Sequence, residues 1–130
     1  MAKQKILIVD DDETILEILK QTLSDHGYEH IAAQDGEDAL KQLQSNDNID
    51  AVILDIRMPK MDGRETLKEI KSDHKAKHLP ILMLTGENSL ADVSECLTLG
   101  ANEYMVKPFE SDILINRLQK ILPPRSDIQS

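Results

Sequence analysis

The chain has 130 residues, room for one compact domain and not for two. Hydrophobic residues make up 40% and charged residues 30%, which excludes a disordered tail and a fibrous protein and supplies both a core and a soluble surface. With 24 Asp plus Glu against 15 Lys plus Arg the formal charge is −9, so this chain by itself is not expected to bind nucleic acid or an anionic membrane.

Ile6-Leu7-Ile8-Val9 is a continuous aliphatic run, as expected of a strand buried on both faces. Ile15, Leu16, Leu19 and Leu23 then repeat at helical spacing, and Gly27 marks the stop. His30-Ile31-Ala32-Ala33 reads as a weaker strand. Asp35-Gly36 opens a helix that carries Ala39, Leu40 and Leu43 and fades at Ser45-Asn46-Asp47. Ala51-Val52-Ile53-Leu54 is the cleanest buried strand and ends abruptly at Asp55. A loop with Met58-Pro59 and Asp62-Gly63 leads to a short helix marked by Leu67 and Ile70. Pro80, whose missing N–H is tolerated at a strand start, opens Ile81-Leu82-Met83-Leu84. Ser89 and Asp92 form a capping pair for a helix bearing Leu90, Val93 and Leu97, closed by Gly100. Tyr104-Met105-Val106 is a short fifth strand, and a last helix with Leu114, Leu118 and Ile121 stops at Pro123-Pro124.

Five strands alternating with five helices predict an α/β fold, a doubly wound parallel sheet in the order 2-1-3-4-5 with helices on both faces. Residues 1–122 are expected to form the domain, and 123–130 a polar tail or the start of a linker. No apolar run approaches a membrane span, and Ile6 to Val9 is too short for the core of a signal peptide. The lone Cys96 suits a reducing compartment, so the expected location is cytoplasmic.

In such sheets ligands bind at the carboxyl ends of the strands, where the strand order reverses. There the sequence places Asp10-Asp11-Asp12-Glu13 after the first strand, Asp55 after the third, Thr85-Gly86 after the fourth and Lys107-Pro108 after the fifth. Asp12 and Glu13 fit a helix cap and the first-turn acids that the helix dipole favours. Asp10 and Asp11 instead continue a buried strand and are expected about 5 Å from Asp55. Two carboxylates about 4 Å apart repel by about 4 kcal/mol at an effective dielectric near 20. A hard divalent ion such as Mg²⁺ relieves that repulsion with few carboxylates. A metal, the Lys107 ammonium, the Thr85 hydroxyl and a free carboxylate suit phosphoryl transfer, which needs positioning and charge neutralisation, with Asp55 as the nucleophile.

Val9-Asp10-Asp11, Leu54-Asp55-Ile56-Arg57-Met58-Pro59, Met61-Asp62-Gly63, Leu84-Thr85-Gly86 and Tyr104-Met105-Val106-Lys107-Pro108-Phe109 resemble the motifs of the CheY-like receiver domains of two-component response regulators, in order and spacing, over residues 5 to 122. That resemblance implies the flavodoxin-like fold of those domains. It also implies that Asp55 takes a phosphoryl group from the phosphohistidine of a histidine kinase or histidine phosphotransfer protein. Asp11 and Asp55 would bind Mg²⁺ directly, Asp10 largely through water, and the Arg57 backbone carbonyl would add a ligand. Thr85 and Tyr104 match the pair that reports phosphorylation, and Lys107 matches the phosphate-contacting lysine. The chain is then a switch that signals to a partner or effector. It is not an enzyme beyond self-catalysed phosphotransfer and autodephosphorylation.

The resemblance also makes Arg57 and Glu87 the positions that tune the lifetime of the phosphorylated state, and their opposite charges are expected to pair across the site's mouth. A cis Lys107-Pro108 bond is expected where the chain turns from the fifth strand into the last helix. The fourth helix carries Asp92 and Glu95 but no Lys or Arg, unlike the receivers of winged-helix transcription factors, which pair charges there in their dimers.

A small aspartate-nucleophile phosphatase is the alternative, weakened because Arg57 stands where such enzymes place a second Asp. An FMN carrier is weaker still, because acids replace its Ser/Thr-rich phosphate loop. His26 with His30, and His74 with His78, are spaced by four but broken by Gly27 or set in polar surroundings, so solvated side chains are expected. Cys96 reads as a helix residue near the core, its thiol pKa raised by Asp92 and Glu95, and Met58, Met61, Met83 and Met105 as packing residues.

Overall fold

The structure, a computed structural model, describes residues 3–86 and 90–123, with the backbone alone at Leu90. Along the chain run β1 (Lys5–Val9), α1 (Glu13–Asp25), β2 (Glu29–Ala33), α2 (Gly36–Ser45), β3 (Ala51–Asp55), α3 (Gly63–Ser72), β4 (Ile81–Thr85), α4 (Leu90–Thr98), β5 (Glu103–Val106) and α5 (Ser111–Ile121). The strands form one parallel sheet in the order β2-β1-β3-β4-β5, as the alternation predicts. Every residue of β3 and β4 is buried, which is why those strands read as unbroken aliphatic runs. β2 is an edge strand with only Ala33 fully buried, and its sequence signal is correspondingly weak.

Side chains alternate across the sheet, so each strand feeds two cores. On one face Leu7, Val9, Val52, Leu54, Ile81 and Met83 pack with Ala39 and Leu43 of α2, Leu67 and Ile70 of α3, and Val93 and Cys96 of α4. On the other, Ile6, Ile8, Ile53, Leu82, Leu84 and Met105 pack with Leu16, Leu19 and Leu23 of α1 and Leu114, Ile115 and Leu118 of α5. Full burial of such a side chain contributes about 1.5–3 kcal/mol, so the two layers supply the main stabilisation.

Asp12 caps α1, its side chain accepting from the Thr14 N–H at 2.9 Å. Gly27 and Gly100 follow α1 and α4 at φ +82° and +113°, where a side chain would strain the turn. Cys96 is fully buried, and burial, followed by the Glu95 carboxylate, pushes its thiol up to about 11. Leu97, expected on the inner face of α4, is instead 43% exposed. Val93 and Cys96, one turn apart, form the buried stripe, and position 97 lies about 100° past it. The cap expected at Ser89 and the tail from Pro124 onward lie outside the described residues. The Lys107–Pro108 bond is cis, as expected. His26, His74 and His78 are exposed and His30 half-buried, while Met58, Met83 and Met105 are buried in the cores. No helix among the described residues is long and apolar enough to cross a membrane.

The entry into α3 is tight. Asp62 caps the helix, with Glu65 reaching back to complete a capping box, and Gly63 N–H donates to the Ile56 carbonyl at 2.7 Å. A Cβ at Gly63 would stand 2.2 Å from the Asp55 carbonyl oxygen, backbone that has no rotamer to escape into. Gly63→Ala is therefore expected to destabilise the fold by about 1–3 kcal/mol, as overpacking does, read as a lower urea midpoint at unchanged slope.

Candidate functional site

The parallel register aligns Val9 with Leu54, so Asp10 and Asp55 are next in line at the carboxyl ends of adjacent strands. This is the point where the order reverses from β1 outward to β2 on one side and to β3 on the other. Asp10 is fully buried, Asp55 is 3% exposed and Asp11 is exposed. A carboxylate oxygen of each lies within 4.8 Å of the others. Lys107 reaches in from the end of β5, its Nζ 3.1 Å from Asp10 Oδ2 and 3.1 Å from Asp55 Oδ1. Its backbone N–H donates to the Thr85 carbonyl at 2.7 Å, which fixes where the side chain departs. Asp10 Oδ1 also accepts from the Asp12 N–H at 2.9 Å.

Burial raises the Asp55 carboxyl most, and the Asp10 charge raises it further, while Lys107 and the Arg57 N–H pull the other way; the balance is a pKa of about 6. Burial works against the Lys107 ammonium, yet Asp55 and Asp10 outweigh it and hold its pKa above the usual lysine range. One ammonium thus faces three carboxylates. The donor set is all oxygen, with Asp11 on the open side, and that chemistry fits a hard divalent cation such as Mg²⁺. Among the described residues this is the sole such cluster of His, Cys, Asp and Glu, so neither histidine pair forms one.

Thr85 is buried, and its hydroxyl donates to the Gly86 carbonyl at 3.2 Å. Tyr104 is half-buried on β5 and packs against the α4-side core, with the Arg117 guanidinium 5.7 Å from its ring centroid. Asp10, Asp55, Thr85 and Lys107 therefore meet at one rim, while Tyr104 lies further back along β5, opposite Met83.

Glu87, the expected partner of Arg57, lies outside the described residues. Arg57 Nη2 instead binds Asp92 Oδ2 on α4 at 3.0 Å. Arg64 Nη1 holds the other Asp92 oxygen at 3.2 Å and Glu95 at 2.9 Å, and its Nη2 holds Asp62 at 3.2 Å. Sequence reading missed this network. Its signal was the pair of acids on α4 with no base of their own.

A family model for the response regulator receiver domain matches residues 6–119. The chain is 40% identical over 119 residues to the chemotaxis protein CheY1 of Helicobacter pylori, covering 91% of this chain and 96% of that one. It is 42% identical over 118 residues to the transcriptional regulatory protein CpxR of Escherichia coli, covering 91% of this chain and 49% of that longer one. Among solved structures, chemotaxis protein CheY4 of Vibrio cholerae superposes with a TM-score of 0.87 at 40% identity, covering 93% of this chain and 100% of that one.

Folding raises the Asp55 pKa from 3.8 to about 6, so the folded state holds that proton more tightly than the unfolded chain does. This favours folding at low pH, and the advantage is lost as pH rises from about 4 through about 6. By linkage the loss is on the order of 2–3 kcal/mol. Without divalent metal, Asp55→Asn is therefore expected to raise the melting temperature at pH 7.5 and to change it much less at pH 4. Added Mg²⁺ should stabilise the wild type more than the variant. Equal melting temperatures at both pH values would count against a destabilising charge at Asp55.

Proposed function

The chain belongs to the family of response regulator receiver domains, and from that membership and the rim geometry we propose that Asp55 is its phosphoacceptor. The phosphoryl donor is the phosphohistidine of a sensor histidine kinase or a histidine phosphotransfer protein. An ionised Asp55 oxygen bonds to phosphorus while the phosphorus–nitrogen bond breaks, and the donor nitrogen keeps the electron pair. Asp10, Asp11, Asp55 and the Arg57 carbonyl form the Mg²⁺ site. When bound, Mg²⁺ supplies positive charge to phosphoryl oxygens and keeps the acceptor ionised.

The rest falls to the chain's own groups. Lys107 neutralises charge from 3.1 Å away. The Thr85 hydroxyl, which donates to the Gly86 carbonyl at 3.2 Å, turns to donate to a phosphoryl oxygen instead. That turn leaves room on the α4 side, and Tyr104 responds to it, making the pair the switch. Hydrolysis of the acyl phosphate resets the domain. Beyond this self-catalysed uptake and loss the domain turns over no substrate, and it works in the cytoplasm, passing its signal to a partner or a linked effector.

The single observation that carries the reading is the Lys107 ammonium shared between two buried carboxylates, with a third on the open side. Acetyl phosphate with Mg²⁺ should add one phosphoryl group by intact mass. Asp55→Asn and chelation of the metal should each abolish uptake, and Lys107→Ala should slow it about a hundredfold, the scale for losing one preorganised electrostatic donor. Uptake that survives Asp55→Asn unchanged excludes the assignment.

A further inference from the structure

α4 is fastened to the domain differently from α1 and α5. α1 buries Leu16, Leu19 and Leu23, and α5 buries Leu114, Ile115 and Leu118. Among the described side chains of α4, Val93 and Cys96 alone are buried, and both are small. Apolar attachment scales with the area removed from water, so α4 gains less from it than the other two helices do. It also carries Asp92 and Glu95 and no Lys or Arg of its own.

One side chain of α3 makes up the difference. Arg64, the second residue of that helix, puts Nη1 3.2 Å from Asp92 Oδ1 and 2.9 Å from Glu95 Oε1. Asp92 and Glu95 are three residues apart and share a helix face, so one guanidinium reaches both. Asp62, the N-cap of α3, holds Nη2 from behind at 3.2 Å. The fork is thus oriented by its own helix and loses little freedom in meeting α4. Arg57 adds a bond to the second Asp92 oxygen at 3.0 Å. The base of the arrangement is rigid, because Gly63, next to Arg64, packs directly on the Asp55 backbone.

We propose that Arg64 is a clasp that keeps α4 closed against α3, and that α4 opens as a unit, with the sheet intact, when the clasp is loosened. A helix with a small apolar anchor and an electrostatic fastening costs less to release than the helices and strands around it. Such an element lets one face of the domain change while the core stays folded. The clasp belongs to the resting chain and stands whether or not Asp55 is the acceptor.

The test uses Cys96, the one cysteine of the chain, as a probe of that opening. Its thiol is fully buried while α4 is closed. Wild type, Arg64→Ala, Arg64→Lys, Glu95→Gln and the Arg64→Ala, Glu95→Gln double variant are labelled with DTNB at a series of low urea concentrations. Urea is uncharged and leaves the ion pairs unscreened. Each rate is divided by that of the same variant fully unfolded, which cancels the effect of neighbouring charge on the thiol. Wild-type labelling should depend on urea much less steeply than global unfolding does, the mark of a local opening. Arg64→Ala should speed it about two- to thirtyfold, the range when two exposed ion pairs are lost, with the slope still shallow. Glu95→Gln should speed it less, by about fivefold at most, and should add nothing in the Arg64→Ala background, since both remove one bond. Arg64→Lys, which keeps the charge and loses the fork, should fall between wild type and Arg64→Ala.

Labelling that follows the full slope of global unfolding at every urea concentration overturns the proposal. So does a normalised rate left unchanged by Arg64→Ala, or effects that multiply in the double variant. Should Arg64→Ala fail to fold, Glu95→Gln and salt decide. Each should speed labelling at an unchanged shallow slope, salt by screening the clasp, and no response to either overturns it.

Discussion

Two buried carboxylates side by side, with one ammonium between them, set the terms for the rest of this molecule. The parallel register of β1 and β3 leaves Asp10 and Asp55 no choice but to be neighbours. Asp10 is fully buried and Asp55 only 3% exposed, and Lys107 is equidistant from both at 3.1 Å. Two buried carboxylates sharing one ammonium leave a negative charge in excess, among the costlier features a fold can carry. It persists because β3 and β4 are buried along their whole length and the two apolar layers hold the sheet regardless. The site is destabilising by construction, and the core offsets it.

That same cost makes the rim receptive. A group bringing positive charge finds oxygen donors already converged, and Asp11 on the open side gives it a way in. Lys107 cannot meet the demand alone, since its one charge is divided between two acceptors. The ammonium is nonetheless well placed, because the Lys107 N–H is tied to the Thr85 carbonyl and the position of β5 relative to β4 is fixed there. Close packing under the loop after Asp55 has the same effect on the other side. Gly63 sets the start of α3 directly against the Asp55 backbone, and Gly36 lets α2 approach Met61 and Thr66.

The fold was legible because its strongest signals are local and physical. Ile6 to Val9, Ala51 to Leu54 and Ile81 to Leu84 are fully buried strands and nothing else fits them. The acids after β1 and β3, and Lys107 after β5, stood out because carboxylates and an amine abutting buried strands need a reason. Less was visible where the deciding contact is long-range. Leu97 fitted a helical stripe as well as Cys96 did, and only the packing of α4 on the sheet chooses between them. Arg57 had several acids within reach of its long side chain, and its place on Asp92 depends on Arg64 orienting that carboxylate from a different helix. Periodicity within one element carries no record of which side chains two elements will share.

The alternation of the strands also divides the site in two. Asp10, Asp55 and Lys107 fall in step with Ile8, Ile53 and Met105, which face α1 and α5. Thr85 and Tyr104 fall in step with Met83 and Ile81 and with the core beneath α3 and α4. The charged groups and the proposed switch residues are therefore on opposite faces of one sheet, and no side chain of one set lies in the layer of the other. What connects them is the rim itself: the Lys107 N–H on the Thr85 carbonyl, and the loop after Asp55 that carries Arg57 to Asp92. Among the described residues, that edge is where groups beside Asp55 make contact with α4. The sheet interior is too closely packed to transmit a change of charge at Asp55 as a graded deformation. Among the described residues, the contacts that join the two faces thus lie at this rim, in the Lys107–Thr85 bond and in the reach of Arg57 to Asp92.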